Sequence, residues 1–294
     1  MKGDPAIRWQ ALRDLSGQAP DEVAKARQLM ESEGWAAELL GRQNEDGTWG
    51  NDEGEVYWRW NATLHTLLLL QDFGLDPESE SAAKAIALLN EHFDWGPHWG
   101  SPRFFEGEVE PCINGGVLEL GAYFGHPNAA LLERLLGEQL TDGGWNCEQE
   151  NGSVRASFHT TICVMEGLLD YEKAVGSDAA ITSARQRAEE YLLKRRLFHS
   201  LSSGKVIDLR QSNADKPVRA TQFSFPTTWH YDVLRGLDYF RRADVRDERL
   251  ADAIQLVQEK RGPDGRWVLE NPHHNSVALT MEKEGAPSRW ITLR

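Results

Sequence analysis

A chain of 294 residues, 40% hydrophobic and 27% charged, is long enough to bury one large core. Its formal net charge of −14 argues against nucleic acid, whose binding needs Lys and Arg to neutralise phosphates, and equally against an anionic membrane surface. No apolar run approaches a transmembrane segment, no signal segment opens the chain and three cysteines make no disulfide framework, so the expectation is a cytoplasmic protein.

Helical periodicity runs from end to end. Residues 21–42 place apolar positions at Val23, Ala26, Leu29, Met30, Trp35, Leu39 and Leu40, and close on Gln43-Asn44-Glu45-Asp46-Gly47-Thr48-Trp49-Gly50. Helical segments at 61–73, 81–92 and 113–124 follow. The segment 129–140 closes on a second copy of the motif, Gln139-Leu140-Thr141-Asp142-Gly143-Gly144-Trp145-Asn146. Further helices are predicted over 158–171, 179–198, 229–241 and 248–259, the last closing on Gly262-Pro263-Asp264-Gly265-Arg266-Trp267. In each copy the Asp-Gly pair makes a tight turn, because Gly tolerates positive φ, and the Trp folds back onto the helix ends.

The helices are of two kinds. Those at 21–42, 129–140 and 248–259 are polar on one side and suit an outer layer. Those opening with Trp60-Asn61-Ala62-Thr63, Phe158-His159-Thr160-Thr161 and Trp229-His230-Tyr231-Asp232 are apolar on most faces and suit an interior one. Arg8-Trp9 near the start is echoed by Arg289-Trp290 near the end, which predicts closure. The reading is an all-α fold, an α/α toroid of about six outer–inner hairpins, in a single domain over 1–294. Its inner helices begin near 6, 60, 112, 158, 229 and 289.

The Gln/Trp repeats, with Phe158-His159-Thr160-Thr161-Ile162-Cys163 opening an inner helix, resemble those of the terpenoid-cyclase and protein-prenyltransferase β-subunit superfamily. The resemblance implies a small apolar or isoprenoid-type substrate, with a partner subunit left open, and the recurrence of Trp9, Trp60, Trp229 and Trp290 at inner-helix starts suits an aromatic-lined cavity for it. Its prenyltransferase members hold zinc at the comparable rim through an Asp, a Cys and a His. The chain contains no Asp-Asp dipeptide, and so lacks the Asp-rich motifs of conventional cyclases.

In a toroid the inner-helix N-termini share one opening, and reactive residue types gather at these positions. Cys112, Cys147 and His159 form a Cys2His set with zinc-ligand chemistry; the alternative is that Cys112 packs as a small apolar residue and Cys147 is a loop thiol. Cys163, one turn beyond His159, reads as core. His159, His230 and Asp232 are the candidate catalytic residues, with Glu119 and Tyr231 as further proton carriers. Trp60, Trp229, Tyr231, Arg59 and Arg289 are the candidate substrate-binding residues, the arginines for an anionic head and the aromatic rings for an apolar body. Segments 95–111 and 200–226 read as lids, and the loop with His273 and His274 as a further rim element. Two other functions stay open: a non-catalytic toroid that binds a ligand or partner, and a carbohydrate-processing α/α barrel with paired carboxylates, for which Glu106, Glu108 and Glu110 lie near a mouth.

Overall fold

The computed structural model describes residues 3–50, 59–97, 100–209, 218–273, 277 and 279–294; of residues 59 and 60 it describes the backbone alone. Inner helix α1 (Pro5–Leu15) is followed by the outer pair α2 (Pro20–Gln28) and α3 (Gly34–Leu40). Inner α4 (Arg59–Phe73), outer α5 (Glu80–His92), inner α6 (Pro111–Tyr123) and outer α7 (Ala129–Gly137) come next. Inner α8 (Phe158–Val175), outer α9 (Ala179–Lys194), inner α10 (Val233–Arg242), outer α11 (Ala251–Glu259) and a short inner α12 (Arg289–Leu293) complete the series. Strand among the described residues is confined to two antiparallel ribbons, β1 (Asp208–Leu209) with β2 (Val218–Arg219) and β3 (Trp267–Val268) with β4 (Pro287–Ser288). The fold is the all-α toroid that the sequence predicts.

Burial separates the two layers. In α6, Pro111 and every residue from Ile113 to Ala122 is buried, and in α8 every residue from Thr160 to Leu169. In α11 only Ala253 is buried, and in α2 only Ala26. The inner helices pack in ring order: α4 on α6, α6 on α8, and α12 on α1. Closure rests on aromatic contacts, with Trp290 edge-on to Phe73 at 5.2 Å and stacked on Phe225 at 4.9 Å, while Trp9 Nε1 donates to the Phe73 carbonyl at 2.6 Å. Between α6 and α8 the backbones nearly touch. A Cβ on Gly115 would stand 2.6 Å from the Cys163 carbonyl carbon, and one on Gly167 would stand 2.4 Å from the Gly115 carbonyl oxygen.

The recurring motif is a staple. Trp49, Trp145 and Trp267 each donate Nε1 to the carbonyl ten residues earlier, on Leu39 at 2.7 Å, Leu135 at 2.7 Å and Val257 at 2.6 Å. Each also donates its backbone N–H to a threonine hydroxyl of the next inner helix: Thr63, Thr161 and Thr292. In the first two copies the Gln reaches sideways to the next outer helix, Gln43 to the Ala85 carbonyl at 3.1 Å and Gln139 to the Ala184 carbonyl at 2.7 Å. Gly143, at φ 100°, faces the Arg187 carbonyl so closely that a Cβ there would stand 2.5 Å from its oxygen. The motif therefore joins outer to inner layer and one outer helix to the next.

Three boundaries differ from expectation. The outer segment 21–42 breaks at a 3₁₀ turn over 29–31, after which Gly34 takes φ 76°. The fifth inner helix begins at Val233 and not near 229, because the Asp232 carboxylate caps it by accepting from the Arg235 N–H at 2.9 Å. The described part of the segment 95–111 is packed rather than open: Phe104 is fully buried, stacked on Trp95 at 5.5 Å, with the Trp95 Nε1 bonded to its carbonyl at 3.0 Å.

Candidate functional site

At the N-terminal rim the structure brings together Cys112, on the first turn of α6, and Cys147, in the 3₁₀ turn after Trp145; the two are disulfide-bonded. The Glu110 carboxylate lies 3.6 Å from Cys112 Sγ, and one ligand atom from each of the three residues lies within 4.8 Å of the others. This is a cluster with metal-ligand chemistry, and His159 stands outside it. Joined as a disulfide, the sulfurs carry no thiolate for a metal, so the cluster in this state does not fit zinc.

His159 opens α8 and accepts the Tyr231 N–H at Nδ1 over 2.8 Å, with its ring 5.0 Å from Trp229 and 5.6 Å from His230. Burial holds its pKa down at about 4. His230 shares a 2.7 Å hydrogen bond with the Thr228 hydroxyl and stacks on His273 at 3.5 Å. Burial, and after it the neighbouring His273, push its pKa far below the ordinary value. Asp232 accepts from the N–H groups of Arg235 and Ser224, and burial raises it to about 6 against those bonds. Tyr231 is buried and donates its hydroxyl to the Leu197 carbonyl at 2.7 Å. Trp229 is 36% exposed and Arg289 lies at the surface. The side chains of Arg59 and Trp60, and residue His274, lie outside the described residues. Cys163 is buried as expected, with its thiol pushed up to about 11 by that burial.

A denser set of charges lies deeper, running from the first turn of α10 and the middle of α8 to the last turns of α4 and α10. Arg235 of α10 forks onto Glu166 of α8, with contacts of 2.6, 3.1 and 3.2 Å, and its Nη1 donates to the carbonyls of Thr228 and His230. Arg242 grips both oxygens of Asp170 at 2.6 Å. Gln71 of α4 donates to Glu119 at 3.1 Å and to Asp170 at 3.0 Å, and Arg294 pairs with Asp72 at 3.0 Å and Asp238 at 3.4 Å. Glu119, Glu166 and Asp170 thus face two largely enclosed arginines, Arg235 and Arg242, with the more exposed Lys173 3.7 Å from Asp170. Each arginine is committed to one carboxylate, and the nearest approach of Arg242 to Glu119 is 3.9 Å. Burial raises the pKa of Glu119 well above the usual carboxylate range, and the charges on Glu166 and Asp170 raise it further.

Glu119 borders two spaces. An interior cavity of about 80 Å³ is lined by His65, Glu166, Arg235, Phe225 and Trp290 as well as Glu119. A cleft of about 760 Å³ is lined by Trp9, Arg27, Tyr123, Gln71, Asp170 and again Glu119. Asp72, Glu119, Arg242 and Arg294 border both. Because the cleft gathers residues from the last turns of α4, α6, α10 and α12, these helices run parallel, and the cleft opens at the end opposite the rim of Cys112 and His159.

The sequence reading named Glu119 only as a proton carrier and passed over Gln71, Glu166, Asp170, Arg235 and Arg242. A signal was present. Arg235, Asp238 and Arg242 recur at i, i+3 and i+7, and Glu166 and Asp170 at i and i+4, in helices that the alternation of layers assigns to the interior. Charges spaced to one face of an interior helix point inward.

Neither a protein-family model nor a curated protein matches the sequence. Among solved structures, the chain is similar to a single-residue variant of the type II terpene cyclase MstE from Scytonema, in the apo form, at 21% identity and a TM-score of 0.46 over 92% of this chain and 73% of that one. It is also similar to apo MstE itself, at 20% identity and a TM-score of 0.44 over 92% of this chain and 74% of that one. Among the described residues, no helix is long and apolar enough to cross a membrane.

Proposed function

We propose that the protein is an acid–base enzyme acting on an isoprenoid-type molecule with a polar head, with Glu119 as the proton donor. The observation that carries this is the carboxyl of Glu119: buried, favoured in its neutral form, and bordering both the cleft and the cavity. A neutral carboxylic acid at neutral pH is a general acid ready to act. Gln71 Nε2 donates to Oε1, which leaves Oε2 to hold the proton. The cleft lies within the usual size range of small-molecule sites, about 300–1,000 Å³, and mixes apolar Trp9, Val23 and Leu75 with arginines, which suits an apolar body with a polar head. Turnover of linear prenyl alcohols and diphosphates by the wild-type protein and by Glu119→Gln tests the proposal. The expected outcome is loss of turnover by at least about 100-fold with binding retained, a typical general-acid contribution. Equal turnover in the two proteins contradicts it.

The crowding of Glu119, Glu166 and Asp170 on facing inner helices favours a second reading, carbohydrate processing by paired carboxylates. Glycan turnover without prenyl turnover would select it, and binding without turnover of either class would select the non-catalytic module. Zinc enters only in the reduced protein. A reducing compartment such as the cytoplasm, which we propose for the chain, keeps Cys112 and Cys147 as thiols beside Glu110, and those three residues would then hold the ion. One zinc per chain after reduction, lost in Cys147→Ala, is the expected result; none bound ends that part of the proposal.

A further inference from the structure

His65 lies on α4, 3% exposed, with Leu64, Leu67 and Leu69 buried beside it in sequence. Its Nδ1 is 2.8 Å from the Asn61 carbonyl oxygen one turn back. A carbonyl oxygen only accepts, so Nδ1 carries the proton, and a neutral imidazole with that tautomer keeps a bare lone pair on Nε2. The ring is neutral at physiological pH: burial, with a smaller contribution from the Arg235 charge, holds its pKa at about 4. Nε2 is buried and has no hydrogen-bond partner among the described residues, and the residue lines the interior cavity. A buried acceptor with no partner costs free energy that a leucine or phenylalanine at this position would not.

We propose that the interior cavity receives the hydroxyl group of a ligand, which donates its proton in a hydrogen bond to His65 Nε2. This deepens the reading of an isoprenoid-type substrate with a polar head, on which it rests, and it names the head: an alcohol and not a diphosphate. An ionised diphosphate has only acceptors to offer a bare lone pair, so the two would repel, and Arg235, Arg242 and Arg294, which line the same cavity, are already paired with Glu166, Asp170 and Asp72. The cavity of about 80 Å³ matches the hydroxyl end of a chain whose body extends into the cleft past Glu119.

The test is imidazole-nitrogen NMR on the isotope-labelled full chain, titrated separately with prenyl alcohol, its methyl ether and dimethylallyl diphosphate. The expected result has Nε2 unprotonated in the free protein and shifted by prenyl alcohol alone, since the ether has lost the O–H donor. The variant His65→Asn, whose side-chain amide keeps the bond to the Asn61 carbonyl, is expected to bind prenyl alcohol about tenfold more weakly with an unchanged melting temperature. The proposal is overturned if Nε2 is protonated in the free protein, or if it is already hydrogen-bonded to water and unmoved by the alcohol. It also fails if ether and alcohol bind alike. If the alcohol binds and Nε2 does not respond, the His65 inference fails while the reading of Glu119 stands. If Glu119→Gln retains turnover, that reading fails while the Nε2 shift is still read on its own. Should His65→Asn not fold, the titration of the unaltered protein decides.

Discussion

Trp145 is among the largest fully buried side chains, and its indole N–H satisfies the Leu135 carbonyl at 2.7 Å. In Trp145→Phe most of the ring remains but that carbonyl is orphaned, and the expected loss is about 1–3 kcal/mol in denaturant unfolding. The same change at Trp267, which is only partly buried, is expected to cost less, because water replaces the lost donor at Val257. Arg235 and Glu166 present the opposite case. Glu166→Gln leaves a largely enclosed guanidinium without its counter-charge, an expected loss of up to about 3–5 kcal/mol, whereas replacing both partners by Met is expected to be milder. The Trp staples were legible in the sequence because a turn and the ring that packs on it lie within ten residues. Glu119 and its neighbours were only partly legible, because which charge meets which arginine depends on the rotation of four separate helices.

Between elements, the α6–α8 contact depends on what is missing from the helices. With backbone atoms inside 3 Å of where a Cβ would sit, Gly115→Ala must push the two inner helices apart, and overpacking of this kind costs about 1–3 kcal/mol or more. Gly137→Ala, where nothing lies within 4 Å, serves as the control and is expected to leave unfolding unchanged or slightly stabilised. The alternation of outer and inner helices could be read from apolar patterning, since a helix buried on all sides needs apolar residues on all faces. The start of α10 could not. Trp229-His230-Tyr231 continues the apolar pattern, yet the Asp232 cap and the hydrogen bonds of Thr228 and His230 hold that stretch as a turn. The cleft at the C-terminal end of the inner helices was not legible for a similar reason. Reactive residue types cluster at the N-terminal rim in sequence, but those side chains are largely engaged there with one another and with the backbone, while the cleft lies among polar residues that no short motif marks.

For the molecule as a whole, buried neutral histidines set the response to acid. His65 and His159 are lowered from 6.5 to about 4, and His230 further, so the unfolded chain binds more protons as pH falls. Their contribution is complete above about pH 6.5 and is lost as pH falls through about 4, amounting to roughly 3 kcal/mol for His65. Asp232 acts in reverse: raised from 3.8 to about 6, it favours the folded state below its unfolded value, and that benefit is lost as pH rises through about 6. Glu119, raised by burial, acts in the same sense as Asp232. The His65 share is isolated by His65→Asn, which is expected to lose less stability than the wild type between about pH 6.5 and 4; an equal loss in both would contradict this. The central claim is that burial, with Glu166 and Asp170 close by, keeps Glu119 neutral at the core of the toroid. Infrared difference spectroscopy across a pH titration tests it most directly. The account predicts a protonated carboxyl band at neutral pH that Glu119→Gln removes; an ionised Glu119 at neutral pH, with no such band lost in the variant, would contradict it.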